Sequence, residues 1–181
     1  MAIYQAAMSI VTAEGLAGAS MSKIARRAGV SPSTIYVYFE NKSDMLNKLY
    51  LVAKGESGSA VFENLRPDMD IKEALSTFVR GTFKYMVAHP VVFSFHEQYC
   101  NDPRIPDDVR EEGLRFYEPL YGLYYRALDA GLVAELPIPL AAAFVVPPIM
   151  QLVKDHMAGL IQVDDMLLDR VVEMVWGALT A

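Results

Sequence analysis

The chain has one cysteine, Cys100, in 181 residues, so an internal disulfide framework is excluded. No stretch reaches the roughly 18 uninterrupted apolar residues that a membrane span needs. The longest apolar run, Ile138 to Met150, is broken by Pro139, Pro147 and Pro148, so no membrane partner is expected. The start of the sequence lacks the cationic stretch and small-residue cleavage site of a secretory signal, which makes the cytoplasm the expected compartment. Strand-type alternation is missing throughout, as are a glycine-rich phosphate loop, a metal-ligand motif and a nucleophile–base spacing. An all-α protein that binds rather than catalyses is therefore expected, with no cofactor and no metal. Basic residues are also scarce, 16 against 22 acidic, for a net charge of −6.

That deficit is uneven. Residues 1–50 hold five basic and three acidic side chains, net +2, while the remainder holds 11 against 19, net −8. A mildly basic head on an acidic body suits a protein that turns one end toward phosphates. What the chain has in surplus is apolar residues, 53% of the total, which implies surface covered by a partner subunit or wrapped around an apolar ligand.

The first fifty residues read as three short helices and the start of a fourth. Ile3, Ala6, Ala7, Ile10 and Val11 recur at helical spacing up to Gly15. Ser20 or Ser22 can cap a second helix carrying Ile24, Ala25 and Ala28, which Gly29 stops. Ser31 caps a third, with Pro32 at its first position, where a missing N–H costs nothing. Its inward stripe is Ile35 and Phe39. Asn41 and Ser43 open a longer helix that runs toward Phe62, weakened by Gly55 and Gly58, and Gly55–Ser59 is the expected hinge between domains.

The segment Met21–Lys42 is helix, tight turn (Ala28-Gly29-Val30-Ser31), helix, the arrangement that lets a second helix enter the major groove of DNA. With Ile24, Ala25, Val30, Ile35 and Phe39 fixing the angle, Pro32, Ser33, Thr34, Tyr36, Val37 and Tyr38 remain for DNA. Hydroxyls of Ser31, Thr34, Tyr36 and Tyr38, with Lys42, are suited to phosphates, and Ser33 and Val37 to base edges or a thymine methyl.

The run Ser22-Lys-Ile-Ala-Arg-Arg-Ala-Gly-Val-Ser-Pro-Ser-Thr-Ile-Tyr-Val-Tyr-Phe-Glu-Asn-Lys-Ser-Asp-Met-Leu46 resembles the signature of TetR-type regulators, and the likeness spans roughly residues 3–52. It implies a dimeric, all-helical repressor with a variable C-terminal domain. A small effector bound there would release the double-stranded DNA operator. By position it assigns base reading to Ser22 and Ser33, and phosphate contacts to Thr34, Tyr36, Tyr38 and Lys42. No Lys or Arg precedes Lys23, where such proteins usually carry a basic arm.

The expected division is a helix-turn-helix DNA-binding domain over 1–50 and a helical-bundle domain for effector binding and dimerisation over 51–181. Within the latter, helices are expected over 70–88, from Val91 to Cys100, over 107–131 with Pro119 as a break, and over 139–160 and 164–180. Residues 83–125 are rich in aromatics, and the expected effector site is Phe95, Tyr99, Phe116, Tyr117, Tyr121 and Phe144. His96 and Cys100 share a helical face, but two ligands fall short of the three or four that zinc needs. The wide apolar stripes of the last two helices point to a four-helix homodimer interface through Phe144, Leu152, Leu168, Val172, Val175, Trp176 and Leu179. The alternative for these residues is ordinary core, and the alternative for the whole chain is a helical ligand carrier that does not bind DNA.

Overall fold

A computed structural model describes residues 2–100 and 102–180, and among them every regular element is an α-helix. The chain divides into two compact units. The first comprises Met1–Glu56 with His89–Phe116, the second Ser57–Ala88 with Tyr117–Ala181. The sequence suggests one cut near residue 50; packing interleaves the chain instead.

The first unit begins with α1 (Ala2–Gly18), whose apolar stripe Ile3, Ala7, Ile10 and Val11 is buried. Its regular turn breaks at Gly15, as the sequence leads one to expect. Lys23 pairs with Glu14 and donates to the Gly18 carbonyl at 3.1 Å, tying α1 to α2 (Met21–Ala28). Ser20, and not Ser22, caps α2: its Oγ accepts from the Lys23 N–H at 3.3 Å. Helix α3 (Pro32–Tyr38) follows, and then α4 (Lys42–Phe62), where Asn41 Oδ1 accepts from the Asp44 N–H at 3.0 Å. Helix α4 runs through residues 55–59 without interruption; the expected hinge is continuous helix, and the boundary between the units falls inside it.

Helix α6 (Pro90–Tyr99) packs on α1 through buried Val92, Phe93, Phe95, His96 and Tyr99. Tyr99 donates to Asn47 Oδ1 at 2.9 Å, and Gln98 Nε2 to the Thr12 carbonyl at 3.3 Å. Helix α7 (Asp107–Arg115) brings Gly113 onto Tyr50; a Cβ there would sit 2.3 Å from the Tyr50 ring, so only glycine permits the approach.

In the second unit α5 (Ile71–Ala88) is the central helix, packed on α8 (Glu118–Asp129), α9 (Ile138–Met157) and α10 (Asp165–Thr180). Asp70 Oδ1 caps α5 by accepting from Glu73 N–H at 3.1 Å, and Asp164 Oδ1 caps α10 through Leu167 N–H at 2.8 Å. Pro119 splits the expected 107–131 helix into α7 and α8, because its ring is tolerated only in the first turn. Phe62 stacks on Phe78 at 5.7 Å and meets Tyr117 edge-on. Outside this core, Arg80 bridges Asp165 and Asp169, and Lys72 pairs with Glu173 at 2.7 Å.

Candidate nucleic-acid interface and apolar pocket

The helix-turn-helix is built from buried apolar contacts inside and polar caps outside. Gly29, at φ 69°, ends α2 in the left-handed region that a side chain disfavours, and its turn returns the Val30 N–H to the Ala25 carbonyl at 3.0 Å. Ile24, Ala25, Ile35 and Phe39 are almost wholly buried, and Tyr4 meets the Phe39 ring edge-on at 5.5 Å. Burying each large side chain of this set stabilises the head by roughly 1.5–3 kcal/mol.

At the start of α3 the Ser31 hydroxyl accepts from the Thr34 N–H at 3.2 Å and lies 2.7 Å from Ser33 Oγ and 2.8 Å from Thr34 Oγ1. The three hydroxyls form one cluster on the exposed rim. Beyond them Tyr36, Val37 and Tyr38 are exposed by 59%, 81% and 50%. So much uncovered apolar surface on a seven-residue helix is costly unless something covers it. Ser22, Ser31, Pro32 and Ser33 are exposed, and Thr34 and Lys42 half-buried, so the side chains expected to meet DNA are accessible.

One feature escapes sequence reading. Lys48 Nζ donates to the Tyr38 carbonyl at 3.0 Å and to Asp44 Oδ2 at 2.9 Å, and lies 5.9 Å from the Phe39 ring, so it braces the end of α3 against α4. Its ten-residue separation from Tyr38 leaves no local signal. Arg26 and Arg27, exposed in the last turn of α2, are further cations on the head.

The six residues expected to hold an effector do not converge. Phe95 and Tyr99 are buried core of the first unit, where Phe116 also lies, against Gly55. Tyr117 is spent on Ser57, 3.0 Å from its hydroxyl, and on Phe62. Phe144 is 45% exposed on α9. Aromatic richness marks where cores need volume, and here it serves two separate cores.

An apolar pocket of about 540 Å³, counting its open mouth, does exist in the second unit, and of the six only Tyr121 lines it. Its walls are Ile71 and Leu75 of α5, Leu120, Tyr121, Leu123, Tyr124 and Ala127 of α8, Val133, then Ile138, Ala141, Ala142 and Val145 of α9, and Trp176 and Leu179 of α10. The enclosed part of that space is only about 50 Å³, room for a small apolar group and not for a bulky ligand. The Tyr124 hydroxyl accepts from the Leu136 N–H at 2.7 Å and reaches the Leu136 carbonyl at 2.8 Å, which pins the α8–α9 connection. Burial pushes the Tyr121 phenol up, so it stays protonated as a donor.

The expected dimer residues also divide. Leu168, Val172, Val175 and Leu179 are buried by their own chain, with 2–7% of their surface left, so they are intramolecular core and not interface. Phe144 is exposed, and Leu152 and Trp176 are half-buried. Apolar surface left over on these two helices comprises Leu140, Phe144 and Met157 on α9 with Met166 and Met174 on α10.

In α6, His96 Nδ1 lies 3.2 Å from Cys100 Sγ. Burial, with the charge of Lys54, holds the His96 ring down at about 3 from an ordinary 6.5, and burial pushes the Cys100 thiol up to about 11. Both are neutral at physiological pH.

A capped helix-turn-helix with an open recognition helix, carried by an all-helical chain, defines a DNA-binding regulator. The family model described as "Bacterial regulatory proteins, tetR family" matches residues 3–49, and that of the "Tetracyclin repressor-like, C-terminal domain" matches residues 71–180. The chain belongs to the TetR family. An HTH-type transcriptional regulator of Haemophilus influenzae is 25% identical over 182 residues, covering 98% of this chain and 93% of the relative. The fatty acid metabolism regulator protein of Bacillus subtilis is 33% identical over 86 residues, 48% of this chain and 44% of that protein. Among solved structures, a TetR family transcription regulator from Marinobacter aquaeolei superposes with a TM-score of 0.91 at 24% identity, covering 98% and 93% of the two chains. The transcriptional regulator FadR from Bacillus subtilis in complex with stearoyl-CoA gives 0.80 at 24% identity, covering 99% and 98%.

Proposed function

We propose that this TetR-family regulator is a cytoplasmic repressor that binds its operator as a homodimer and leaves it when a small apolar effector occupies the second unit. The observation that carries the DNA-binding part is the contrast across α3: Ile35 has none of its surface exposed, while Val37, two residues on, has 81%. A helix so firmly seated on one side and so open on the other is a reading head. Ser22 and Ser33 read bases and Val37 covers a thymine methyl, while Thr34, Tyr36, Tyr38 and Lys42 grip phosphates, helped by Arg26 and Arg27.

Dimerisation through α9 and α10 is supported by Leu140, Phe144, Met166 and Met174, each 45–73% exposed. It is further supported by the apolar length of α9, of whose residues Ala141, Val145, Ile149 and Val153 are the buried ones. A twofold partner covers this surface and sets the half-sites about one helical turn, roughly 34–36 Å, apart. The effector part rests on the pocket and on two similar proteins, one named for fatty acid metabolism and one bound to stearoyl-CoA. The chain acts by binding, not turnover.

The test is fluorescence anisotropy with the DNA upstream of its own gene, over a salt series, with a scrambled duplex as control. Specific, salt-sensitive binding of two chains per site is expected. Equal binding to both duplexes would instead favour the ligand-carrier reading.

A further inference from the structure

The pocket wall and the exposed apolar face of α9 belong to the same short stretch of helix. Ile138, Ala141, Ala142 and Val145 face the pocket, while Leu140 and Phe144, interleaved with them, are each 45% exposed. All six precede Pro147 and Pro148, which lie inside α9. A proline has no N–H to donate, so the carbonyls four residues back, those of Ala143 and Phe144, have no helix donor, and two successive rungs of the ladder are missing. Helices bend at such breaks. Beyond the break α9 is fixed, because Ile149 and Val153 are wholly buried. Before it, the inner face rests on a void.

Resting on the dimer and effector reading above, we propose a route for the signal. The pocket takes an uncharged apolar group, an alkyl chain or small ring, and its occupancy swings residues 138–146 about Pro147–Pro148, weakening the pairing of two copies of this chain. The ligand class follows from the lining, which holds no Lys, Arg, His, Asp or Glu. A charge taken into it would lose its water and gain no partner. With Tyr124 engaged by Leu136, the protonated Tyr121 phenol and the Trp176 indole N–H are the side-chain donors the lining holds for a ligand atom. The route follows from what the pocket touches. No lining residue comes from α1–α4, α6 or α7, and of its four helices α9 alone combines wall, exposed apolar face and interrupted ladder. A ligand that prefers the swung segment must, by reciprocity, bind the dimer more weakly than the monomer.

Trp176 is the sole tryptophan and lies in the wall, so its emission reports occupancy directly. The full chain is titrated with 1-decanol, with decanoate as the charged comparison, while sedimentation equilibrium gives the dimer Kd with and without decanol. The expected result is a saturable Trp176 response to decanol, a weaker one to decanoate, and a dimer Kd raised about fivefold or more, the range of ordinary allosteric couplings. In the Pro147→Ala/Pro148→Ala variant the Trp176 response persists and most of the shift in Kd disappears. A Trp176 response with an unmoved dimer Kd overturns the route and leaves the dimer reading intact. Absence of any saturable response overturns the pocket, and decanoate binding as tightly as decanol overturns the ligand class. A chain monomeric at every concentration fails the reading underneath, and the proposal with it.

Discussion

The two compact units are made of the same material, short amphipathic helices with capped ends, and they differ in what they leave uncovered. The first unit packs its head tightly and exposes a rim of hydroxyls and aromatic rings on α3. The second surrounds a void and exposes bare aliphatic and sulfur-bearing side chains on α9 and α10. A rim of hydroxyls, phenols and cations fits phosphates and base edges, which demand hydrogen bonds in fixed places. A void and a bare apolar face fit hydrocarbon and another copy of the same face, which demand only shape and exclusion of water. On the function proposed above, the difference lets one chain serve two unlike kinds of partner.

The comparison breaks most readily at Phe39. Phe39→Ala removes a wholly buried ring from the head and is expected to destabilise the first unit by about 3–5 kcal/mol. Native-state hydrogen exchange should show protection lost across α1–α3 while α5, α8 and α10 keep theirs; equal loss in both would mean that the units unfold as one.

Gly113→Ala sharpens the contrast inside the first unit. The added Cβ collides with Tyr50, and a loss of about 1–3 kcal/mol is expected in urea denaturation. A neutral result would show that Tyr50 can move away at no cost. Ser31→Ala removes the cap of α3 and the centre of its hydroxyl cluster, costing about 1 kcal/mol. Its DNA affinity should fall by more than its stability does, because Ser33 and Thr34 lose the hydroxyl that orients them. If the two losses match, the cluster is structural only.

The smallest effect concerns His96. Its ring is held neutral at about 3 in the fold against 6.5 when unfolded, so the unfolded chain binds the extra proton. Stability is therefore complete above pH 6.5 and is lost as pH falls from there toward 3, with a cost somewhat below 1 kcal/mol by pH 6. In His96→Gln the midpoint of thermal unfolding should change less between pH 7.5 and 6 than in the parent. A parallel change would assign the acid sensitivity to other groups.

The head was legible residue by residue because its signals are local. Ser31, Pro32 and Gly29 each act on a backbone group within four residues, and the Ile35–Phe39 stripe needs only a helical period to be seen. Pro119 announced a break and Asp164 a helix start for the same reason. The effector residues were not legible. Phe95, Tyr99 and Tyr121 carry the same aromatic signal, yet the first two fill a core and the third lines a pocket, and nothing within either neighbourhood distinguishes them.

By itself, then, the sequence determined the helices, the cap of α3, the turn at Gly29, the face of α3 turned outward and the family that combination marks. The tertiary structure alone decided the rest: that Leu168, Val172, Val175 and Leu179 are covered by their own chain while Phe144 is not, that Lys48 braces Tyr38, and that a void opens beside Tyr121. Burial is a property of pairs of surfaces distant along the chain. A stripe in one helix shows that it will be covered, and only the packed neighbours show by what.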